Sequence, residues 1–281
     1  MAAARERGDV DLVSSDSMQV YRGMDIGTAK ASAAERAEVP HHLLDLVDAT
    51  EDFTVAEFRA AYADAIAGIG GRRRRALLVG GTGLYHRVVI DDFDLPGQWP
   101  DVRAELESET DTARLHARLG ELDPVAAEKM EPTNRRRIVR ALEVTIGSNR
   151  PFSSFGPGVD DYAHSDVAQV GLRWPRPVLA ERIAARVRRM FDDGLLAEVE
   201  TLATRGLSRT AAQALGYKET LELLQGRIGQ DEAIDTIITR TRQFAVRQER
   251  WFRRDPRVRW IDIEHDPVAE AAAFVVDALE T

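Results

Sequence analysis

The sequence predicts an α/β protein, a parallel sheet flanked by helices and interrupted by a helical insertion. Three observations predict it. Apolar runs at Val10–Val13 and Ala76–Val79 each lead into a glycine-containing loop, as strands buried on both faces do. Stretches of near-3.6 periodicity lie between and after them, so strands alternate with helices. From Asp91 to about Asn149 the pattern is helical without a strong strand, and Pro96 and Pro100 punctuate its entry. Residues 1–90 and 150–281 therefore read as the α/β core, and 91–149 as the insertion.

Taken in order, Met1–Gly8 looks like the last turns of a helix, and the first strand then ends on Ser14, Ser15 and Asp16. The carboxyl edge of a strand in an open α/β sheet is where ligands bind. A strand-end acid is more often a turn former, so Asp16 alone is a weak signal. Gly23 and Gly27 loop the chain onward to a polar, alanine-rich stretch, Ala31–Glu38, and to an extended segment, Pro40–Val47. Val55, Phe58, Tyr62, Ile66 and Ile69 share one helical face, which predicts a helix over 54–69 packed on the sheet. Four arginines, Arg72–Arg75, read as a solvated connector.

After the second strand, Gly80-Gly81-Thr82-Gly83 lets backbone approach a ligand, and the helix expected next offers free N–H groups to an anion. In the insertion, Arg136 and Arg140 lie one turn apart on one helical face, while Ile138, Leu142 and Thr145 occupy another. Gly147, Pro151, Gly156, Pro157 and Gly158 mark 147–165 as a linker or loop. A strand over 167–172 follows. Pro177 opens a helix to about Asp193 with Arg182, Arg186 and Arg189 on one stripe, and another helix starts at Thr220. The helix over 231–254 is the clearest periodic element. It sets Ile237, Thr241, Phe244, Gln248 and Trp251 on one face, and Arg240, Gln243, Arg247, Arg250 and Arg254 on another. A strand over 258–263 and a helix over 268–279 close the chain.

Composition narrows the function. With 281 residues, 44% hydrophobic and 30% charged, the chain builds a sizeable globular core. No run of 18 apolar residues spans a membrane, and the first nine residues have no apolar centre of a signal peptide. The absence of cysteine excludes disulfides, thiolate zinc sites and cysteine nucleophiles, which suits a reducing cytoplasm. Six histidines, only His41 and His42 adjacent, show no metal-binding spacing. A net charge of -9 argues against indiscriminate DNA binding. Lysine occurs only at Lys30, Lys129 and Lys218 among 38 basic residues, so arginine is the coding default and its presence alone means little. Clustering is different: eight arginines between Arg240 and Arg259 face only Glu249 and Asp255, a candidate polyanion surface.

Six motifs then agree in content and order. Asp16-Ser-Met-Gln-Val-Tyr-Arg-Gly-Met-Asp-Ile-Gly-Thr-Ala-Lys30, His41-His-Leu-Leu-Asp45, Leu78-Val-Gly-Gly-Thr-Gly-Leu-Tyr85, Arg137-Ile-Val-Arg-Ala-Leu-Glu143, Leu215-Gly-Tyr-Lys-Glu219 and Thr241-Arg-Gln-Phe-Ala-Val-Arg-Gln248 together resemble the tRNA dimethylallyltransferase family over essentially the whole chain. The resemblance implies an ATP-binding-type P-loop core. It also implies transfer of a dimethylallyl group from dimethylallyl diphosphate to N6 of adenosine 37, beside the anticodon, with Mg²⁺ and release of diphosphate. In that pattern Asp16 matches the general base, Thr82 a substrate-contacting threonine and Arg186 the arginine on the diphosphate. The tRNA contacts map onto Asp16, Ser17, Met18, Gln19 and Thr82, onto Arg103, and onto Arg136, Arg137, Ile138, Val139 and Arg140. Further contacts map onto Gln213, Ala214, Leu215, Gly216, Tyr217 and Lys218, and onto Arg240, Arg242, Gln243, Arg247 and Gln248. A stacked adenine cannot reach an internal carboxylate, so the base must be extruded. The expected partner is a tRNA anticodon stem-loop, with no membrane and the chain a cytoplasmic monomer.

The family also opens with a strand and a G-x-x-x-x-G-K-[ST] phosphate loop, for which these residues offer no match. Gly23–Lys30 comes nearest, with three residues between its glycines and no lysine directly after the second. The expectation is a core whose first strand and P-loop are missing, with most Mg²⁺ ligands, and a chain that as written transfers prenyl groups poorly. Two other readings stay open. One is a tRNA-binding remnant without catalysis; the other is a nucleotide phosphotransferase of related fold, which the same missing loop disfavours more strongly.

Overall fold

Two local signals start the chain. Ala2–Arg7 (α1) ends on Gly8 in the left-handed region, φ 72°. Val10–Ser14 (β1) is then buried at all five residues, as its apolar run requires. This computed structural model describes every residue except 92, 94, 157, 159, 160 and 281, so Pro157 of the expected linker lies outside the described residues. The chain divides into two compact units, Met1–Ile90 with His164–Thr281, and Asp91–Ala163.

In the first unit β1 leads to Tyr21–Arg22 (β2), then to Ala33–Glu38 (α2), which Ser32 and Glu35 close with a capping box. Within the expected extended segment and the residue after it, His41–His42 (β3) and Val47–Asp48 (β4) are the parts that pair as strands. Val55–Gly71 (α3) begins with a second capping box, Thr54 with Glu57. Arg75–Val79 (β5) and Gly83–Ile90 (α4) flank the glycine loop. The sheet order is β3-β1-β5, all parallel, with Leu12 opposite Leu77 and Val13 opposite Leu78. β2 pairs with β4 in a second small parallel sheet. Val13, Leu43, Phe58, Ile69 and Tyr85 form the core between α3, α4 and β1, with the Phe58 and Tyr85 rings stacked at 3.8 Å.

The arginine run 72–75 is only in part the solvated connector expected from sequence: Arg72, Arg73 and Arg75 are exposed, yet two of the four serve a buried acid. Asp11 is fully buried on β1 and needs cations. Arg72 Nη2 reaches its Oδ2 at 2.8 Å, Arg74 Nε its Oδ1 at 2.5 Å, and His42 Nε2 its Oδ2 at 2.9 Å. Burial alone raises the Asp11 carboxyl, but His42, Arg74 and Arg72 hold it below the ordinary carboxylate range.

The second unit is helical: Pro100–Ser108 (α5), Thr112–Leu122 (α6), Pro124–Glu128 (α7) and Arg135–Ser148 (α8). Leu106, Leu115, Leu119, Ile138 and Leu142 are its core. The unit runs beyond residue 149 because Phe152 packs on that core, and because Ser153 donates through N and Oγ to buried Asp123 at 2.8 and 2.7 Å.

The first unit resumes with Gln169–Arg173 (β6), Arg176–Asp192 (α9), Leu195–Arg205 (α10), Arg209–Ala212 (α11) and Tyr217–Leu224 (α12). Gln230–Phe252 (α13), Val258–Asp262 (β7) and Pro267–Ala278 (α14) complete it. β6 and β7 pair in parallel. Among the described residues no helix is long and apolar enough to cross a membrane.

Candidate active site

Asp16 begins the loop just beyond β1, and local hydrogen bonds fix its side chain. The Met18 N–H donates to its Oδ1 at 2.8 Å, an Asx turn, while the Asp16 N–H donates to Ser14 Oγ at 3.3 Å. Gln19 braces the same loop, accepting from the Ser14 hydroxyl at 2.9 Å and donating to the Thr28 carbonyl at 3.1 Å. Across the sheet, Thr82 tips the glycine loop between β5 and α4. The Ser17 N–H donates to Thr82 Oγ1 at 3.0 Å, and the Thr82 hydroxyl reaches Ser17 Oγ at 3.3 Å. Asp16 and Thr82 thus stand on adjacent strand ends.

Desolvation raises the half-buried Asp16 carboxyl above its ordinary range, although the N–H groups of Met18 and Gln19 and the charges of Arg186 and Lys30 pull it down. Arg186, on α9, is the other side of this pairing: surrounding protein lowers its guanidinium pKa and the Asp16 charge opposes that. Arginine stays cationic regardless. Asp16 and Thr82, two of the three residues expected to be catalytic, are thus joined through Ser17, while Arg186, exposed on α9, acts on Asp16 through its charge.

Two supporting residues escaped the sequence reading. Lys30 Nζ is fully buried and donates to the Tyr21 carbonyl, Asp25 Oδ1 and Asp45 Oδ1, each at 2.7 Å, so it ties together the loop that starts at Asp16. Its rarity in an arginine-rich chain was the available signal. Glu198 on α10 accepts from the N–H groups of Asp25, Ile26 and Gly27 at 3.0, 2.7 and 3.2 Å and from the Tyr217 hydroxyl at 2.6 Å. A Cβ at Gly27 would sit 2.4 Å from the Tyr217 ring, which is why glycine stands there.

The residues mapped as tRNA contacts divide sharply. Ile138 and Val139 are buried in the helical unit, and Ala214 and Tyr217 in the core of the other, so their side chains hold structure and offer no surface. Met18 packs on that second core. Arg103 and Arg140 both point at Glu143, itself 1% exposed, at 3.1 and 2.9 Å. Arg136 and Arg137 are exposed on α8. Gly216 turns the chain at φ 90°, Gln213 is exposed, and Leu215 and Lys218 are half-buried. On α13, Arg240 pairs with buried Glu219, Arg242 donates to the Ala180 carbonyl at 3.2 Å, and Gln243 and Arg247 are exposed. Arg247 lies over the ring of Phe244, which is itself exposed. Gln248 turns inward and donates to the Gly81 carbonyl at 3.0 Å, bracing the Thr82 loop.

A groove of about 620 Å³ along α13, lined by Asp231, Glu232 and Asp235 beside Arg240, includes neither Asp16 nor Thr82, and its acids suit no polyanion. Among the described residues no three His, Asp or Glu side chains form a group that could hold a metal ion.

Comparison with known proteins gives one answer. A sequence model of the family described as IPP transferase matches residues 19–255. The tRNA dimethylallyltransferase of Kineococcus radiotolerans is 50% identical over 256 residues, 89% of this chain and 80% of that protein. That of Salinispora arenicola is 48% identical over 276 residues, 96% of this chain and 78% of that protein. The full-length tRNA isopentenylpyrophosphate transferase structure from Bacillus halodurans superposes with a TM-score of 0.71 at 39% identity, covering 99% of this chain and 91% of that one. A eukaryotic dimethylallyltransferase, solved acting on tRNA, shares the fold with a TM-score of 0.81 at 24% identity, over 98% of this chain and 73% of that one. By motif, by identity over most of its length and by fold, the chain belongs to the IPP transferase family.

Proposed function

We propose that this chain is a tRNA dimethylallyltransferase, moving the five-carbon group of dimethylallyl diphosphate onto N6 of adenosine 37 beside the anticodon. The observation that carries this reading is Asp16, a half-buried carboxylate with a raised pKa, fixed by the Met18 N–H next to Thr82 and within the field of Arg186. An exocyclic amine is a weak nucleophile because its lone pair is delocalised into the ring. Asp16 accepts one N6 proton as the N6–C1 bond forms. The C1–O bond breaks with its electron pair going to diphosphate, and Arg186 steadies the growing negative charge. Thr82 orients the reacting groups. The base reaches this site only when flipped from its loop, and the arginines of α13 and α8 grip the RNA backbone while it does so.

Mg²⁺ belongs to this reading as the companion of diphosphate. The described residues do not assemble a ligand set for it, so none of the steps above uses it. The chain's cysteine-free composition suits a reducing cytoplasm.

Single-turnover transfer from labelled dimethylallyl diphosphate to an anticodon stem-loop tests the proposal. Asp16→Asn is expected to slow transfer by about 10²–10⁴-fold, the usual contribution of a general base, far more than it weakens RNA binding. An Asp16→Asn protein as fast as its parent overturns the assignment, and tight RNA binding with no product from the parent overturns the activity.

A further inference from the structure

Ser15 comes immediately before Asp16 and is completely buried, so it is no nucleophile. Its Oγ lies 2.8 Å from His86 Nε2, on α4 one turn beyond Thr82. The same ring nitrogen lies 3.2 Å from the carbonyl oxygen of Gly80, two residues before Thr82. A carbonyl can only accept, so the Gly80 contact is a hydrogen bond when Nε2 carries the hydrogen, whereas the Ser15 hydroxyl can serve either tautomer. Burial lowers the ring's pKa and favours its neutral form. Phe252 holds the ring edge-on, centroids 5.2 Å apart at 88°. The packing is too close for substitution at Gly80, where a Cβ would meet Ser15 Oγ at 2.4 Å and the Ser15 carbonyl carbon at 2.7 Å.

We propose that His86 is a positioning residue for prenyl transfer: its Nε2–H ties the ends of β1 and β5 at Ser15 and Gly80 and so sets the separation of the Asp16 carboxylate and the Thr82 hydroxyl. The Ser17–Thr82 hydrogen bonds join the same two ends further along their loops. With His86 removed, the β1–β5 ladder, the Ser17–Thr82 bonds and the Gln248 brace remain but the link at Ser15 and Gly80 is lost, and small displacements of a catalytic group cost rate more than binding. This inference rests on the reading of Asp16 as the base.

Three measurements on the whole protein test it. In long-range ¹H–¹⁵N spectra of the unmodified chain near neutral pH, His86 is expected as the Nε2–H tautomer; the Nδ1–H tautomer overturns the proposal. His86→Phe fills the space without a donor and is expected to slow single-turnover transfer about tenfold, less than the hundredfold loss a 1 Å misplacement brings. Affinities for the stem-loop and for dimethylallyl diphosphate should stay within about twofold, since the loss is confined to the transition state. His86→Gln keeps an N–H for Gly80 and is expected to recover most of the rate. Equal losses for Phe and Gln, or a His86→Phe protein as fast as its parent while Asp16→Asn is slow, sink the positioning role alone. An Asp16→Asn protein at parental speed sinks the base assignment instead, while the tautomer still reports on the link.

Discussion

Asp16 must be ionised to accept a proton, yet its surroundings favour the neutral acid. That tension has two pH signatures. Transfer at limiting substrate should rise with pH through the raised Asp16 pKa and then level off, because only the carboxylate acts as base. Arg186 lowers that pKa, so Arg186→Gln should move the rise to higher pH as well as slow the reaction; a pH–rate profile of both proteins checks it. The linkage sign for stability runs the other way. A folded-state pKa above the unfolded one means that ionisation disfavours the fold, and the penalty is complete once pH exceeds the folded value. Asp16→Asn, whose Oδ1 can still accept the Met18 N–H, should therefore melt higher than the parent near pH 7.5, by about 2 °C for each kcal/mol gained. The gain should vanish where Asp16 is protonated in both states.

Between residues and the whole lies the glycine loop, pinned by elements distant in sequence. A Cβ at Gly83 would meet the Trp251 indole nitrogen at 2.0 Å, and one at Gly81 the Gln248 amide at 2.0 Å. A flexible amide can move aside, whereas an indole packed in a helix cannot. Gly83→Ala is expected to destabilise by about 1–3 kcal/mol, the usual range for overpacking, while Gly120→Ala, with open space around it on α6, should stabilise by about 0.5–1 kcal/mol. Denaturant unfolding of both proteins decides it. The helical period of α13 was legible in the sequence, but its buried face was not. Ala233, Ile237 and Ile238 are buried, the latter two against Ile183 and Val187 of α9, while Phe244, expected on the same face as Ile237, is 41% exposed. One helix packs on α9 near its start and meets the glycine loop near its end, so no single face serves its full length.

Over the molecule as a whole, net charge and local charge disagree in sign, and the ion pairs decide which arginines remain for RNA. Arg240 sits on Glu219, which is 1% exposed, whereas Arg247 stands exposed over Phe244. Arg247→Ala should reduce the slope of log affinity against log salt by about 0.7–0.9, the contribution of one phosphate contact. Arg240→Ala should instead leave that slope nearly unchanged and lower the melting temperature, because it strands a buried acid. Anisotropy of a labelled stem-loop across a salt series, beside thermal unfolding, separates the two. By itself the sequence determined the alternation of strands and helices, the glycine loop at a strand end, the family and the candidate base, since each depends on residues a few positions apart. Only the tertiary structure decided which donors serve which acid: Arg72 and Arg74 on Asp11 from more than sixty residues away, Lys30 on Asp25 and Asp45, and the backbone N–H groups of 25–27 on Glu198. A buried charge takes whichever partner the folded path brings within reach, and spacing along the chain carries no record of that distance.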